Sequence, residues 1–404
     1  MAGALVTSVV VAAMPLLGDV HLDGDGHGRG VLAWSGLRGS AWVARATDVY
    51  AGRRTGRLRD LWHSRGSAVV EGVDVAGSGA AVVCLRERPG RTTHAWRVRA
   101  VLRGTDGAWS RPVLVAAPGR WVDHVECGVD DAGNALLAWT EGIADRLRAA
   151  AVRADGTVLD RVTLARNPEP PDVAVAPSGA AAISFATGEP GRRRVWVAAR
   201  PPGGGWSTRR LVPPPQESVL LPQLAVDGAG RWLLGWDGGD DVWAVRLAAG
   251  ADPARTPSTV VASGDVGLGT LEAGARGDVL LTYYTAASTG GPRAMLHAVV
   301  QRPGAPLGAP APLGRFAAYP LAAAVAADGS GTVAWVSGSR RRPRTVARSL
   351  SVDGRWGPTR QLSGVGQRTG LDIGIAAGRP GQSTVAWSVQ GPVEGRDRLL
   401  IAGL

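Results

Sequence analysis

The chain has 404 residues, of which 45% are apolar, so it can bury a sizeable core in one large domain or two ordinary ones. Its 58 Gly and 27 Pro exclude an all-helical protein, because both residues interrupt helices. The net charge is +11 and every basic residue is Arg, a usage typical of a GC-rich genome, which weakens the charge as evidence for an anionic partner.

The first predicted element is an apolar segment at residues 4–17, which Thr7, Ser8 and Pro15 interrupt. It is too short to span a bilayer, so we expect no membrane span. No Arg precedes it, and a signal peptide begins with a positively charged stretch. The alternating residues within it predict a β-strand instead.

A segment that ends in an aromatic residue, in every copy but one, then recurs along the whole chain. Each copy has an alternating apolar run, a Gly-containing turn and a run of small apolar residues. A period of about 50 residues is typical of a solenoid or a propeller. The end positions of the copies are Trp34, Cys84, Trp139, Phe185, Trp236, Tyr283, Trp335 and Trp387.

Each period contains four predicted strands, A to D, as residues 171–218 illustrate. Strand A alternates at Val173 and Val175, and a turn at Ser178 leads to strand B. Strands C and D follow between Gly- and Pro-rich loops, with Val and Trp enriched. No segment of ten residues has a helical period. Four antiparallel strands per repeat, stacked around an axis, form a β-propeller blade.

We therefore predict an all-β protein, a single β-propeller of eight four-stranded blades, with seven blades as the alternative. In the last blade an N-terminal strand supplies strand D, which closes the ring and removes free sheet edges. The predicted blades cover residues 20–68, 69–121, 122–170, 171–218, 219–267, 268–319, 320–369, and 370–404 together with 4–13.

The two cysteines fall in neighbouring repeats. The repeat places Cys84 at the aromatic position of strand B, where a thiol acts as a small buried apolar group. Cys127 lies in the next strand A, aligned with Val173. A disulfide and two free thiols are both open, and we expect two free thiols because this is the commoner arrangement.

The turns between strands C and D resemble the Asp-box (BNR-type) repeat, S-x-D-x-G-x-x-W, of bacterial sialidase-like propellers. The closest copy has Ser351, Asp353, Gly354 and Trp356, and residues 105–110 and 203–208 carry shorter versions. The resemblance implies a fold, and it implies export from the cell, although no leader is evident. It transfers no catalytic residue, since the Arg-Ile-Pro stretch of sialidases is absent.

Arg residues cluster at the loops that join strand B to C and strand D to A, which emerge on one face of a propeller. Guanidinium groups bind carboxylates and phosphates through paired hydrogen bonds. We predict a site on this face for an anionic polysaccharide or a protein, with solvated loops as the alternative. The candidate residues are Arg120, Arg166, Arg194, Arg315, Arg340, Arg368, Glu217 and Tyr319.

Metal ions, cofactors and nucleic acids are not expected as partners. Two Cys exclude a four-Cys zinc site, and no His pair has helical metal spacing. Asp23, Asp25 and His27 resemble the start of a calcium loop, but we expect an A–B turn there. The Trp residues are assigned to blade cores, so no platform for stacking bases is predicted.

We thus predict a monomeric, non-catalytic binding propeller, with a sialidase-like glycoside hydrolase or a polysaccharide lyase as the alternative. Glycoside hydrolysis needs two facing carboxylates. The sequence does not pair any of the carboxylates expected on the loop face, which are Asp145, Glu169, Glu217 and Asp240. Serine-hydrolase, P-loop and dinucleotide-binding motifs are absent.

Overall fold

The structure is a computed structural model of residues 9–13, 16–90, 95–142, 145–189, 192–210, 219–248, 251–285, 294–339, 342–364, 368–378, 382–390 and 398–404. Within these ranges the chain forms eight antiparallel sheets that follow one another around an axis. Strand A of each sheet contacts strand A of both neighbouring sheets, so the ring is complete. The prediction of eight blades is confirmed, and the seven-bladed alternative is wrong.

The two inner strands of each blade form a hairpin closed by a tight turn. The turns contain glycines with positive φ, such as Gly133 at 83°. In blade order, strands A are Leu16–Gly24, Ser67–Val75, Val122–Val129, Asp172–Val175, Val219–Val226, Val266–Ala273, Ala318–Val325 and Arg368–Ala376. Strands B are Arg29–Arg38, Ala81–Arg88, Ala135–Glu141, Ala181–Thr187, Trp232–Gly238, Val279–Thr285, Gly331–Ser339 and Thr384–Gln390.

The two outer strands complete the blades. Strands C are Ala41–Tyr50, Arg97–Arg103, Arg146–Val152, Arg194–Arg200, Asp241–Leu247, Met295–Gln301, Arg342–Leu350 and Arg398–Gly403. Strands D are Arg59–Ser64, Val113–Ala116, Val158–Arg166, Ser207–Arg210, Thr259–Ser263, Ala311–Arg315, Arg360–Gln361 and, in blade 8, Val9–Ala13. A short strand, Arg53–Arg54, extends blade 1, and Pro253–Arg255 forms one 3-10 turn. Among the described residues, no helix has the length and apolar character to cross a membrane.

The N-terminal strand closes the ring, as predicted. Val9–Ala13 lies antiparallel to Arg398–Gly403, with Val9 opposite Ile401 and Ala13 opposite Arg398. The first and last strands of the chain therefore belong to one sheet. This pairing uses the edge that strand C of blade 8 would otherwise expose to solvent.

The described residues contain eight apolar clusters, and each cluster lies between two neighbouring blades. In seven junctions a large side chain from strand B of the following blade fills the wedge. These side chains are Trp34, Trp139, Phe185, Trp236, Tyr283, Trp335 and Trp387. The predicted role of the recurring aromatic residue is therefore confirmed in these blades, because each one packs against the preceding blade.

Blade 2 departs from the repeat, and the prediction for Cys84 is wrong. Leu85 occupies the aromatic position, since it packs in the cluster between blades 1 and 2. Cys84 is the neighbouring residue on the strand, so its side chain points to blade 3. There it forms a disulfide with Cys127, with the two Cα atoms 6.2 Å apart. The expected free thiols are thus replaced by a covalent link between blades.

Side-chain hydrogen bonds close the turns between strands C and D. In blade 7, Ser351 Oγ accepts a hydrogen bond from the Arg355 N–H at 3.1 Å, and Gly354 has a φ of 85°. In blade 2, Asp106 accepts from the Ala108 N–H at 2.9 Å. These contacts close the turns locally, so they stabilise the hairpins.

We expect loss of the disulfide to destabilise the propeller. The bond joins residues 43 positions apart, and closing a loop of this length constrains the unfolded chain. The double variant Cys84→Ala/Cys127→Ala should lose up to about 4 kcal/mol of unfolding free energy, measured by denaturant titration. A reductant should destabilise the wild type and leave the variant unchanged. Equal stability of both proteins under oxidising conditions would contradict the structural role.

Candidate functional site

Four of the predicted site residues are described with their side chains. All four lie on the face that carries the B–C and D–A loops, which we call the upper face. Arg120 precedes blade 3, Arg166 ends its strand D, Arg194 begins strand C of blade 4 and Arg315 ends strand D of blade 6. Arg166 and Arg315 are exposed and belong to different blades.

The other four predicted residues are not described with side chains. Arg340 and Glu217 lie outside the described residues. Arg368 begins strand A of blade 8 and Tyr319 lies in strand A of blade 7, and only their backbone is described. The complete ring of Arg residues therefore stays a prediction. Around Arg120, the described part of the upper face carries several aromatic and charged side chains.

An aromatic and cationic surface surrounds Arg120 between blades 2 and 3. We call it the Trp121 surface, and it consists of Arg86, Arg88, Trp96, Arg120, Trp121 and His124. The Trp121 side chain is 44% exposed, and its ring meets that of buried Trp96 edge-on, with centroids 4.9 Å apart. Because Trp96 belongs to the core between the two blades, it holds Trp121 in place.

The guanidinium group of Arg86 lies close to the rings of both Trp96 and Trp121. Its guanidinium carbon lies 5.0 Å from the centroid of Trp96 and 5.9 Å from that of Trp121. Arg86 Nε donates to Glu71 Oε1 at 3.0 Å, and Nη1 donates to Asp123 Oδ1 at 2.9 Å. These two carboxylates neutralise Arg86, so its role is to position the rings.

Two exposed side chains, those of Arg120 and His124, flank Trp121. The Arg120 side chain is 51% exposed, and its Nη1 lies 3.1 Å from Asp145 Oδ2. His124 is equally exposed, and its Nε2 lies 3.4 Å from Asp123 Oδ2. The backbone of His124 has a φ of 47°, a conformation that costs free energy in non-glycine residues and is enriched at functional sites.

The exposed Trp121 corrects the assignment of all Trp residues to blade cores. The Trp residues at the end of strand B are buried, whereas Trp121 comes directly before strand A of blade 3. The sequence contains a signal for this difference, since Trp121 follows Pro118, Gly119 and Arg120 in a D–A loop. A large aromatic residue in a surface loop is a candidate for binding.

A cavity of about 790 Å³ lies on the axis. Strand A or the A–B turn of every blade contributes to its wall. The wall includes turn residues such as Gly26, Gly77 and Ala327, so the cavity lies towards the face of the A–B and C–D turns, the lower face. No Arg lines it among the described residues, and its carboxyl groups come from Asp23, Asp74, Glu126, Asp172 and Glu272, with Asp25 and Asp227 at the turns.

Three of these carboxylates connect neighbouring blades. Each accepts a hydrogen bond of 2.6–2.7 Å from a backbone N–H of strand A in the following blade: Asp23 from Val75, Asp74 from Val129, and Asp172 from Leu224. Strand A is the last strand on the axial side of its sheet, so its outward N–H groups lack a strand partner. The aspartates supply the missing acceptors.

Burial raises the pKa of every carboxyl in the cavity wall that lies deep in the molecule. It raises the pKa of Asp172 to about 6. Burial, together with the charges of Asp172 and Asp74, raises the pKa of Glu272 to about 8. Burial raises the pKa of Glu126 well above its usual range, with Asp172 and Glu71 adding to the effect. The carboxyl groups of Asp23 and Asp74 are hydrogen-bonded to each other, and burial raises both pKa values.

The carboxylates expected on the loop face are not paired with one another where they are described. Glu169 is ion-paired with Arg193. Asp145 is ion-paired with Arg120, and Asp240 is exposed. Glu217 lies outside the described residues. Asp237, in the same segment as Asp240, accepts a hydrogen bond from the Leu268 N–H of blade 6. It therefore joins two blades.

The segment that resembles a calcium loop forms an A–B turn, as predicted. Asp25 Oδ1 accepts hydrogen bonds from the N–H groups of His27 at 2.8 Å and Arg29 at 3.1 Å. Asp23 turns away to bind blade 2. In the part of the chain that is described, no three His, Cys, Asp or Glu side chains are grouped closely enough to hold a metal ion.

A second cavity, of about 920 Å³, lies between blades 1 and 2 on the lower face. Arg103 spans it, with Nη2 3.3 Å from Asp48 Oδ1 of blade 1 and Nη1 donating to the Gly79 carbonyl at 2.5 Å. These contacts join strand C of blade 1 to strand C and the A–B turn of blade 2, so Arg103 has a structural role here.

Comparison with known proteins identifies the fold. No family model matches the chain, and no curated protein matches it. Among solved structures, prolyl oligopeptidase B from Galerina marginata has a TM-score of 0.53 at 10% identity; the match covers 95% of this chain but only 55% of the oligopeptidase. The chain therefore spans about half the length of that enzyme.

Two polysaccharide lyases match over most of both chains. A PL25 ulvan lyase bound to -[GlcA(1-4)Rha3S]- has a TM-score of 0.50 at 11% identity, covering 98% of this chain and 96% of the lyase. Polysaccharide lyase Uly1 has a TM-score of 0.51 at 11% identity, covering 83% and 89%. At these identities the likeness shows a shared propeller fold.

We predict that the propeller is more stable at pH 5.5 than at pH 8.5. The folded protein holds protons on Glu272 and Asp172 more tightly than the unfolded chain does. Their contribution to stability is fully present below the pKa of about 4 that these groups have in the unfolded chain. It is lost as the pH rises, by about pH 6 for Asp172 and by about pH 8 for Glu272, at about 1.4 kcal/mol per pH unit for each extra proton that the folded protein holds. Denaturant titration across this range measures the slope.

The variant Glu272→Gln should reduce this slope and be more stable than the wild type at pH 8.5, because it removes a buried charge. Glu189→Gln, which changes an exposed side chain, is the matched control and should keep the wild-type slope. A wild-type stability that rises steadily from pH 5.5 to 8.5 would contradict the assignment.

Proposed function

We propose that this protein binds an acidic polysaccharide through the Trp121 surface. The observation that carries the proposal is the exposed ring of Trp121, held by Trp96 and flanked by the exposed Arg120 and His124. Sugar rings have apolar C–H faces that pack on a Trp ring, and guanidinium groups bind carboxylates and sulfates. The surface offers both kinds of contact side by side.

The charges of the surface favour an anionic ligand. Arg86 is neutralised by Glu71 and Asp123, whereas Arg88 has no carboxylate partner among the described residues. The guanidinium carbon of Arg88 lies 5.7 Å from the Trp96 centroid, which keeps this cation beside the aromatic pair. Arg88 is therefore the cation that an incoming carboxylate or sulfate would meet, and Arg120 would share or exchange its ion pair with Asp145 to join it.

The whole-chain likeness to two polysaccharide lyases supports a polysaccharide as the ligand class. The ligand in one of them contains a glucuronate and a rhamnose carrying a sulfate, so it presents both anions that guanidinium groups bind well. We also propose that the protein works outside a reducing cytoplasm, because disulfides such as Cys84–Cys127 persist in oxidising compartments.

The exposed His124 favours a second candidate function, a polysaccharide lyase. In β-elimination a base takes the proton from the carbon next to a uronate carboxylate, while a guanidinium group stabilises the charge on that carboxylate. The neighbouring C–O bond then breaks, the sugar leaves with the bonding electrons and takes up a proton, and a C=C bond remains. His124, with Asp123 at 3.4 Å, is the described candidate for the base.

Isothermal titration with uronate-containing and sulfated oligosaccharides tests the binding function. We expect saturable binding that weakens with added salt, because screening reduces the attraction between exposed charges. Trp121→Ala should weaken binding about tenfold, through loss of the stacking surface. Tyr50→Ala is the matched control, since Tyr50 is an exposed aromatic residue of the lower face, and it should bind like the wild type.

Failure of every acidic oligosaccharide to bind, or equal affinity of Trp121→Ala and the wild type, would refute the proposal. The lyase candidate has a separate readout, the ultraviolet absorbance of the unsaturated product. If the protein is a lyase, His124→Ala should bind the polysaccharide and form no such product. A wild-type protein that binds without any rise in absorbance is not a lyase for that ligand.

A further inference from the structure

We infer that the axial cavity is a second binding site, for an organic cation that carries several ammonium or guanidinium groups in a line. The cavity lies on the lower face, so this site is separate from the Trp121 surface. Its volume of about 790 Å³ lies within the range of about 300–1,000 Å³ that is usual for ligand pockets.

Two of the carboxylates in the wall make no hydrogen bond with any described residue. These are Glu126 and Glu272, and the cavity-lining aspartates described above are all hydrogen-bonded to blades or turns. Glu126 stands at the same position before its A–B turn as Asp172, and Glu272 at the same position as Asp23 and Asp74. Glu126 and Glu272 therefore occupy positions at which aspartates in other blades bind the following blade, but they make no such bond.

The structure explains why Glu126 is not used as a connector. The backbone amide in blade 4 that corresponds to the partner of Asp172 is the Val173 N–H, and this donates to Asp172 Oδ1 at 2.8 Å. Glu126 is also longer by one methylene group, so its carboxylate lies beside the cavity instead of against the neighbouring strand. Its nearest charged neighbours are Asp172 and Glu71, which repel it.

The negative charge of the cavity is not balanced by the described side chains that line it. They include no Arg, and the chain has no Lys. Among the other titratable groups of the wall, Asp227 is ion-paired with Arg231 and Arg246, Asp25 is bound within its turn, and His21 is the one described titratable side chain of the wall that is not acidic. Glu71, behind Glu126, is paired with Arg86. Buried carboxylates need compensation by protons or by a bound cation.

The spread of the carboxylates favours an extended cation over a metal ion. The five groups come from blades 1, 2, 3, 4 and 6, and within the described residues no three acidic, His or Cys side chains converge on one point. A ligand with several separate charges can approach Glu126, Asp172 and Glu272 at the same time. Such a ligand could be a free polyamine or an Arg- or Lys-rich peptide segment, which share this chemistry.

Isothermal titration with spermine at pH 8.5 tests the inference on the full chain. We expect one saturable site, and binding should release protons from the cavity into the solution, seen as a dependence of the heat on the ionisation enthalpy of the buffer. Lowering the pH to 5.5 should weaken binding at least about tenfold, because protons then occupy the carboxyl groups. An oligoarginine peptide in a parallel titration distinguishes the two sources.

The variant Glu126→Gln/Glu272→Gln should lose at least about tenfold in affinity, since it removes the two unpartnered charges. Glu189→Gln alters an exposed carboxylate on the upper face and is expected to bind like the wild type. The inference is overturned if spermine and the peptide both fail to bind, if the double variant binds as tightly as the wild type, or if calcium binds more tightly than either. Trp121→Ala should leave spermine binding unchanged, so failure here is distinguishable from failure of the polysaccharide site.

Discussion

The strands around the axis face a constraint that no other part of the propeller shares. Their outward N–H groups have no strand beside them, and buried amides need acceptors. Asp23, Asp74 and Asp172 meet this need by accepting hydrogen bonds from the following blade. Carboxylates are short, strong acceptors, and placing them there makes the centre of a basic protein acidic. The geometry of the ring thus determines the electrostatics of the cavity.

The rest of the fold depends on the same repeated junction. There are eight separate apolar clusters in the described residues, each shared by two blades, so a blade buries its apolar side chains against its neighbours. Val9–Ala13 closes the ring by completing blade 8, and the disulfide strengthens the junction between blades 2 and 3. The two faces of the propeller can therefore differ in chemistry. Residues in the loops of the upper face can change without loss of packing, whereas residues of the axial strands contact the neighbouring blades.

The sequence predicts the part of the structure that repeats. The aromatic residue of strand B and the spacing of the turns reveal the blades, their number and the closure. Departures from the repeat are harder to predict. In blade 2, Leu85 takes the place of the aromatic residue and Cys84 precedes it, so the pattern places Cys84 on the wrong side of the strand. The acidic cavity combines residues from many blades, and Glu126 and Asp172 come together only when the ring forms. Trp121 lies in a loop, outside the repeating positions.

The central claim is that carboxylates of one blade hold the axial strand of the next. Amide hydrogen exchange in the variant Asp74→Ala tests it most directly, because Asp74 is the described acceptor for the Val129 N–H at 2.6 Å. The claim predicts that the Val129 amide exchanges at least about tenfold faster than in the wild type, while the amides of strand Ala135–Glu141 keep their protection. Unchanged protection of Val129 would contradict it.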